Sequence, residues 1–221
     1  MIASDIDLIV RLLPIETWNT IYMVLMSTLA AIIMGLPLGI ILVITERGGI
    51  KQNSVVNTCV GAIVNVGRSF PFLILMIAII PFTRLIVGTT LGTNAAIVPL
   101  SIAAAPFVAR VVETSLKEIS HGVIEAALAC GCSTWQVIYK VLLPEAMPSM
   151  VLGATLTVIN LIGYSAMAGT VGGGGLGKVA IQYGYNRYET PLMIATVAVL
   201  IILVQIVQLV GNYIARVINK K

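Results

Sequence analysis

The stretch Thr17–Thr45, TWNTIYMVLMSTLAAIIMGLPLGIILVIT, contains no charged residue. Roughly 20 apolar residues, each rising about 1.5 Å, cross the hydrocarbon core of a bilayer as an α-helix. Thr17–Thr45 is long enough to do so alone. The whole chain shares this character, since 58% of its 221 residues are hydrophobic and only 10% are charged, whereas a soluble domain carries about 25% charged residues. We therefore predict an all-α membrane protein.

Further charge-free windows follow along the chain. They cover 52–67, 69–83, 85–109, 146–177 and 190–215. The two windows that flank Arg68 are each short, and together they form one span with an arginine inside it. We interpret Arg68 as a structural residue whose long side chain reaches the headgroups. The prediction is a single transmembrane domain, 1–221, with five spans at about 18–45, 56–82, 92–110, 146–169 and 190–215.

The first 16 residues do not read as a cleavable signal peptide, because they carry acidic as well as basic side chains. These are Asp5, Asp7, Arg11 and Glu16. The first apolar run is therefore expected to remain in the mature protein. Apolar residues between Ile6 and Leu13 suggest a segment that lies along the membrane surface ahead of the first span.

Basic residues are divided unequally between the two sides of the predicted membrane. One side carries Arg47, Lys51, Arg110, Lys117, Lys140, Arg216, Lys220 and Lys221, and the other carries Arg11, Arg84, Lys178 and Arg187. Because Lys and Arg are enriched in cytoplasmic loops, we predict that the N-terminus is outside and the C-terminus is cytoplasmic. We interpret the basic excess as a signal of orientation and predict no nucleic-acid binding. The three cysteines and the lone His121 are too few for a metal site, so none is predicted.

The loop at about 111–144 is much longer than an ordinary connection of about 4–6 residues. Ser120 is expected to cap a first short helix, and Gly131 to end it in a left-handed turn. Ser133–Gln136 reads S-x-x-Q, which is a capping box that starts a second helix. Leu143-Pro144 is expected to close that helix before the fourth span. Two capped helices in so long a loop favour the docking of another protein over a plain link.

A motif in this loop points to a family. Glu125-Ala126-Ala127 is followed after three residues by Gly131, and after nine more by Val141-Leu142-Leu143-Pro144. This pattern resembles the EAA signature of the inner-membrane permease subunits of ATP-binding-cassette importers. Gly67–Thr89 and Asn160–Tyr188 resemble the small five-span permease of the methionine-uptake importer, and the likeness covers nearly the whole chain.

The resemblance implies a type I ABC-importer permease fold, multi-pass in the bacterial inner membrane, with two short cytoplasmic coupling helices within 122–141. It implies a homodimer that carries D- and L-methionine across the lipid bilayer, joined by two cytoplasmic ATPase subunits and an extracytoplasmic methionine-binding protein. ATP and Mg would bind to the ATPase, so this chain is expected to be neither an enzyme nor a holder of a cofactor. The runner-up is a permease for another amino acid or a small thioether compound. The coupling residues carried over by the motif are Glu125, Ala126, Ala127, Gly131, Leu143 and Pro144.

The run VGGGGLGKV at Val171–Val179 raises the alternative of a phosphate-binding P-loop, G-x-x-x-x-G-K. A working P-loop needs Ser or Thr after the Lys, where this chain has Val179, and it follows a buried strand. Here a membrane span precedes the glycines. We predict instead a backbone-tight loop at the mouth of the pathway, and ATP bound by another chain.

The fourth span holds polar groups that are costly in a bilayer unless they face protein or water. Asn160, Tyr164 and Met167 follow helical spacing, and Ser165 lies near their flank. We predict that Asn160, Tyr164, Ser165 and Met167 line the substrate pathway at the dimer axis. Ordinary packing between helices remains an alternative for each of them.

Three other functional classes have weaker support. An ion-driven carrier usually places Asp, Glu or His within its spans, whereas 17–45, 52–112 and 146–188 contain no acidic residue and the only histidine is His121; backbone carbonyls as Na⁺ ligands stay open. An intramembrane serine protease built on Ser165 lacks a base in reach. A channel would show a charged ring or a carbonyl filter. No catalytic residue is predicted.

Overall fold

The computed structural model describes residues 2–219, with side chains from Leu8 onward. Some residues used in the sequence-based predictions lie outside the described part of the chain. They are Lys220, Lys221 and the side chains of Asp5, Ile6 and Asp7. The described chain is helical and contains no strand. Its helices are α1 (Ile2–Thr45), α2 (Ser54–Ser69), α3 (Phe72–Ala78), α4 (Ile80–Val87), α5 (Thr93–Lys117), α6 (His121–Ala129), α7 (Thr134–Val137), α8 (Leu143–Thr170), α9 (Gly175–Val179) and α10 (Thr190–Ile218). Two π-helical segments, Ile138–Leu142 and Ala180–Tyr185, follow α7 and α9.

Four helical stretches in the described chain are long and apolar enough to cross a membrane. They are Leu8–Thr45, Thr93–Lys117, Thr134–Thr170 and Thr190–Ile218. A fifth crossing arises only if α2 and α3, which form a bent pair, are counted as one span. By length and composition, the described chain therefore holds four or five candidate spans.

The predicted second span, 56–82, is not one helix. It is interrupted at Phe70-Pro71 and again at Ile79, and its last part continues as α4 to Val87. A residue before proline is pushed out of the helical region, and proline has no N–H to donate. Pro71 is accordingly found in the extended conformation that precedes α3, with ψ 128°. Gly88 ends α4 in a left-handed turn, with φ 81°.

The segment ahead of the first span also differs from the prediction. Residues from Ile2 continue α1 without a break instead of forming a separate surface helix. Leu13 is buried in an apolar cluster with Leu176, Val179 and Leu192. Leu8, Ile9 and Leu12 pack against the same cluster. One side of this segment therefore packs against the protein itself, while Val10 and Ile15 on it stay exposed.

The prediction that Leu143-Pro144 closes the second helix of the long loop is wrong. Helix α7 runs through the π-helical segment Ile138–Leu142 directly into α8. A proline inside an α-helix removes one hydrogen bond and its ring clashes with the carbonyl four residues earlier. The π-turn shifts the hydrogen bonding to the carbonyl five residues back, so the helix accommodates Pro144 without ending.

The chain divides into two compact units. Among the described residues, the first consists of 2–30, 70–104 and 158–208, and the second of 31–69, 105–157 and 209–219. The cluster around Leu13 and Leu176 belongs to the first unit, while Leu42, Val64 and Ala109 form a buried cluster in the second. Helices α1, α5, α8 and α10 each contribute residues to both units.

Candidate functional site

Helix α6, which carries Glu125-Ala126-Ala127, has no buried residue. Glu125 and Ala126 are exposed and Ala127 is half-buried. Beyond it, Trp135 is 71% exposed and Tyr139 is 65% exposed on the following helix. Apolar and small side chains left uncovered in this way are typical of a surface that another protein covers. We call the residues 121–144 the coupling segment.

The two helices of the coupling segment meet at a fixed joint. Gly131 has φ 81°, and its N–H donates to the Leu128 carbonyl while the Cys132 N–H donates to the Ala127 carbonyl. This pair of bonds is a Schellman motif, which requires the left-handed residue that glycine provides. The next helix starts at the predicted capping box, in which Ser133 and Gln136 each bond the other's backbone N–H. Ser120 occupies the predicted N-cap position of α6, but its side chain makes no capping hydrogen bond.

Charged side chains tie the base of the coupling segment to the rest of its unit. Lys117, at the end of α5, is paired with Glu46 at 2.8 Å and with Glu113 at 3.0 Å. Arg110 also pairs with Glu113 and donates to Asn65 Oδ1 at 2.7 Å. A small cavity of about 90 Å³ lies between the Gly48-Gly49 turn, the end of α5 and α6. The first loop, α5 and α6 are therefore neighbours in the second unit.

On α8, some of the predicted pathway residues share an exposed face. Asn160, Gly163, Met167 and Thr170 are all exposed, and they recur at intervals of three and four residues. Met167 is 49% exposed, and nothing lies within 4 Å of the position of a Cβ at Gly163. This part of the helix is therefore uncovered by the described chain. We call these four residues the open face.

Tyr164 and Ser165 lie elsewhere on the helix. The Tyr164 ring stacks on Phe72, with centroids 4.7 Å apart and planes 5° apart, beside the open face. Ser165 is only 2% exposed, and its hydroxyl donates to the Ile162 carbonyl at 2.7 Å. The structure thus groups Asn160 with Met167, places Tyr164 on the adjacent flank, and turns Ser165 toward the interior of its own unit.

The glycine run Gly172–Gly175 joins α8 to α9. Gly172, Gly174 and Gly175 have positive φ angles of 90°, 81° and 74°. The loop follows a helix, and the described chain has no strand, so the structure excludes the P-loop alternative, which needs a strand before the glycines. A Cβ at Gly175 would lie 2.7 Å from both Met23 Cε and Thr20 Oγ1. The loop is therefore packed as tightly as predicted.

Residues 35–221 match the family described as the binding-protein-dependent transport system inner membrane component. The chain belongs to this family. It is 52% identical over 210 residues to the probable D-methionine transport system permease protein MetI of Vibrio cholerae. This alignment covers 95% of this chain and 93% of the relative. It is 45% identical over 181 residues to the methionine import system permease protein MetP of Bacillus subtilis, with 82% of each chain covered.

A solved structure supports the same fold. A chain of the MetNI methionine ABC transporter in an inward-facing conformation has a TM-score of 0.93 and 48% identity to this chain. The match covers 95% of this chain and 97% of that one. This chain is therefore a permease subunit, and its described residues have the helical fold of the matched chain.

Two buried carboxylates, Glu16 and Glu113, were not predicted from the sequence. Glu16 stands one residue before the first charge-free window and ahead of the part that matches the inner membrane component family. The available signal was its neighbourhood, because Asn19 and Thr20 follow it at helical spacing and give α1 a polar flank. In the structure this flank holds the glycine loop. Glu16 Oε2 accepts a hydrogen bond from the Gly175 N–H, and Thr20 Oγ1 accepts one from the Leu176 N–H, each at 2.8 Å.

Among the described residues, no group of three or more His, Cys, Asp or Glu side chains is placed to hold a metal ion. Cys59, Cys130 and Cys132 are all free thiols, and Cys132 is the least exposed of the three.

Proposed function

We propose that this chain is the membrane-spanning permease subunit of an ATP-driven methionine importer. The observation that carries the proposal is the coupling segment, in which the EAA motif lies on a helix with no buried residue. That helix is held by a Schellman motif and followed by a capping box. A surface that is rigid and uncovered is suited to receive another protein. The likeness to relatives named as methionine permeases extends over most of the chain and supports methionine as the substrate.

The energy would come from partners. Two copies of this chain form the pathway, and two cytoplasmic ATPase subunits bind ATP and Mg and grip the coupling segments. An extracytoplasmic binding protein delivers D- or L-methionine. Glu125, Ala126, Ala127 and Gly131 would contact or shape the ATPase interface. Leu143 and Pro144, the first two residues of α8, would pass movement along the helix, because it is continuous from Thr134 to Thr170.

The orientation follows from the partners and from the basic residues. The coupling segment and the loop with Arg47 and Lys51 face the cytoplasm, and the N-terminus lies outside. A continuous helix offers a rigid lever, and helix shifts are a common way to transmit a switch. The family description as an inner membrane component supports a place in the bacterial inner membrane.

Methionine would pass along the open face of α8. Asn160 offers an amide, Met167 a soft thioether, and Tyr164 a ring held in place by Phe72. A mostly apolar wall with a few polar groups suits a small amphipathic substrate. Ser165 belongs to the predicted pathway set, but it is buried, so its proposed role is to support the helix behind that wall.

A single transmembrane domain fits this role. Domain boundaries usually fall in exposed linkers, whereas the division between the two compact units falls within α1, α5, α8 and α10. A helix that contributes residues to both units can transmit movement from one of its ends to its other end.

The test is purification of this subunit from its own cells, identification of the ATPase and binding protein that accompany it, and reconstitution of the complex in proteoliposomes. We expect methionine with its binding protein to stimulate ATP hydrolysis and uptake severalfold over either alone. Stimulation by another amino acid in place of methionine would reassign the substrate within the importer class. Uptake that is abolished by an uncoupler and persists without ATP would overturn the importer itself.

A further inference from the structure

The first span holds the glycine loop through two neighbouring residues of α1, Glu16 and Thr20. Besides accepting from the Leu176 N–H, the Thr20 hydroxyl donates to the Glu16 carbonyl at 2.9 Å. The two residues are one helical turn apart, so their side chains reach the loop from the same side of α1. We call this arrangement the Glu16–Thr20 clamp.

The carboxylate of the clamp is buried and oriented. Glu16 is 9% exposed, Asn19 Nδ2 donates to its Oε2 at 2.9 Å, and Lys178 Nζ lies 3.7 Å from its Oε1. Helix α9 begins at Gly175, and the first N–H groups of a helix have no partner within it. A carboxylate at that end satisfies one of them and is favoured by the helix dipole. Bonds to a charged acceptor are also stronger than neutral ones.

The other end of the loop is anchored as well. The Gly92 N–H, just ahead of α5, donates to the Gly172 carbonyl at 2.8 Å. A Cβ at Gly172 would lie 2.6 Å from Leu91 Cδ2. The glycine loop is therefore fastened to α1 at one end and to the start of α5 at the other, which removes the flexibility that four successive glycines would otherwise have.

We propose that Glu16 is a positioning residue for transport, and this inference rests on the proposed function. By fixing the glycine loop, the clamp holds the end of α8 that carries the open face. Movement that begins at the coupling segment is then transmitted along the same continuous helix to Asn160 and Met167. Without the clamp, the glycine loop would absorb this movement. Glu16 touches neither substrate nor nucleotide, and it acts through the loop.

The first test measures the loop alone. Hydrogen exchange is followed in the peptide that covers Gly172–Val179, using the complete complex with the wild-type chain, Glu16→Ala and Thr20→Val. We expect the amides of Gly175 and Leu176 to exchange at least tenfold faster in both variants. Trp18→Ala is the matched control, because Trp18 lies on the same turn of α1 and is 69% exposed, and we expect less than a twofold change. Unchanged exchange in both clamp variants would overturn the clamp.

The second test separates positioning from a merely structural role. Methionine uptake and ATP hydrolysis are measured together in proteoliposomes, and the molecules imported per ATP hydrolysed are compared. We expect this ratio to fall at least fivefold in Glu16→Ala and Thr20→Val. Glu16→Gln keeps an oxygen that accepts from Gly175, and Thr20→Ser keeps the hydroxyl, so both should stay within threefold of the wild type.

A purely structural role would lower uptake and hydrolysis in parallel and leave the ratio unchanged, and that result would overturn the inference even if exchange rises. Should Glu16→Ala fail to assemble, Thr20→Val and Glu16→Gln still decide it. A wild-type complex that is not stimulated by methionine would instead refute the proposed function. The exchange experiment would still report whether the clamp exists.

Discussion

Gly131 adopts a backbone conformation that most side chains resist. Its φ is 81°, yet nothing lies within 4 Å of the position where a Cβ would stand. The glycine is therefore required by the turn and not by crowding. Crowding is added at Gly175, where the φ is also positive and a Cβ would meet Thr20 and Met23. Two glycines in the same chain thus serve for different physical reasons, and substitutions should separate them.

We predict that Gly131→Ala destabilises the permease by about 1–2 kcal/mol, which is the usual penalty for a left-handed residue with a Cβ. Gly131→Asn should cost less, because asparagine tolerates this region. The matched control is Gly122→Ala, which lies on α6 with open space around it and no positive φ, and which should stabilise the helix slightly. Thermal melting of the purified subunit measures all three. Equal melting temperatures for Gly131→Ala and the wild type would refute the role of the joint.

Close packing between helices defines the second unit at the scale of elements. Gly35 and Gly39 lie one turn apart on α1, and a Cβ at either would approach a carbonyl oxygen of α5 to 2.6 Å. Small residues at this spacing allow helix backbones to approach closely in membranes. The sequence shows this pair as G-x-x-x-G. It does not show which helix packs against the pair, because the spacing of residues along one helix does not identify the neighbouring helix.

We predict that Gly39→Ala destabilises the permease by about 1–3 kcal/mol, the usual cost of overpacking. The reason is that the added methyl would meet the Ala109 carbonyl and Val112 Cβ, each at 2.6 Å, and α1 must move away from α5. Gly61→Ala on α2 is the control, since its nearest neighbour, Leu42 Cδ2, is 3.8 Å away. Melting temperatures should therefore fall for the first variant only. A similar fall for both would point to a general loss of helix quality.

The coupling segment gives the second prediction at this scale. Ala126 is exposed on α6, so a larger side chain there has no clash within its own chain. If the ATPase packs on this surface, Ala126→Leu should reduce the ATPase recovered with the purified permease at least tenfold, because overpacking disrupts close docking. The melting temperature of the permease itself should be unchanged. Ala62→Leu, at an exposed position on α2, is the control and should retain the ATPase.

Structural features that depend on a few neighbouring residues could be predicted from the sequence. Features that depend on tertiary contacts could not. The capping box at Ser133 and the left-handed end at Gly131 follow from rules that involve a few neighbouring residues. The rule that proline ends a helix failed at Pro144, because a π-turn relieves the clash and only the assembled helix reveals it. Glu16 was overlooked because its partner, Gly175, lies 159 residues away in the chain.

At the scale of the whole molecule, the open face of α8 needs a cover. The open face combines glycine, methionine and asparagine. Such a surface is not fully apolar, as contact with lipid requires, and it is not charged, as contact with bulk water favours. The proposed second copy of the chain, across a shared pathway, would satisfy both conditions. In a symmetric dimer the same patch lies on each side of the axis, so a residue of the open face on one protomer should approach its counterpart on the partner.

Cross-linking tests this arrangement directly. In a chain whose Cys59, Cys130 and Cys132 are replaced by serine, Met167→Cys should be joined to its counterpart by a short bismaleimide, because Met167 is half-exposed on the open face. Ser165→Cys is the matched control, since it lies two residues away on the same helix but is buried within its own unit. We expect a product of twice the protomer mass for the first variant and none for the second. Addition of methionine with the binding protein should change the yield for Met167→Cys, because the pathway must open and close around the substrate. Cross-linking of Ser165→Cys but not of Met167→Cys would mean that the subunits meet through a different face, and the pathway would have to be sought there.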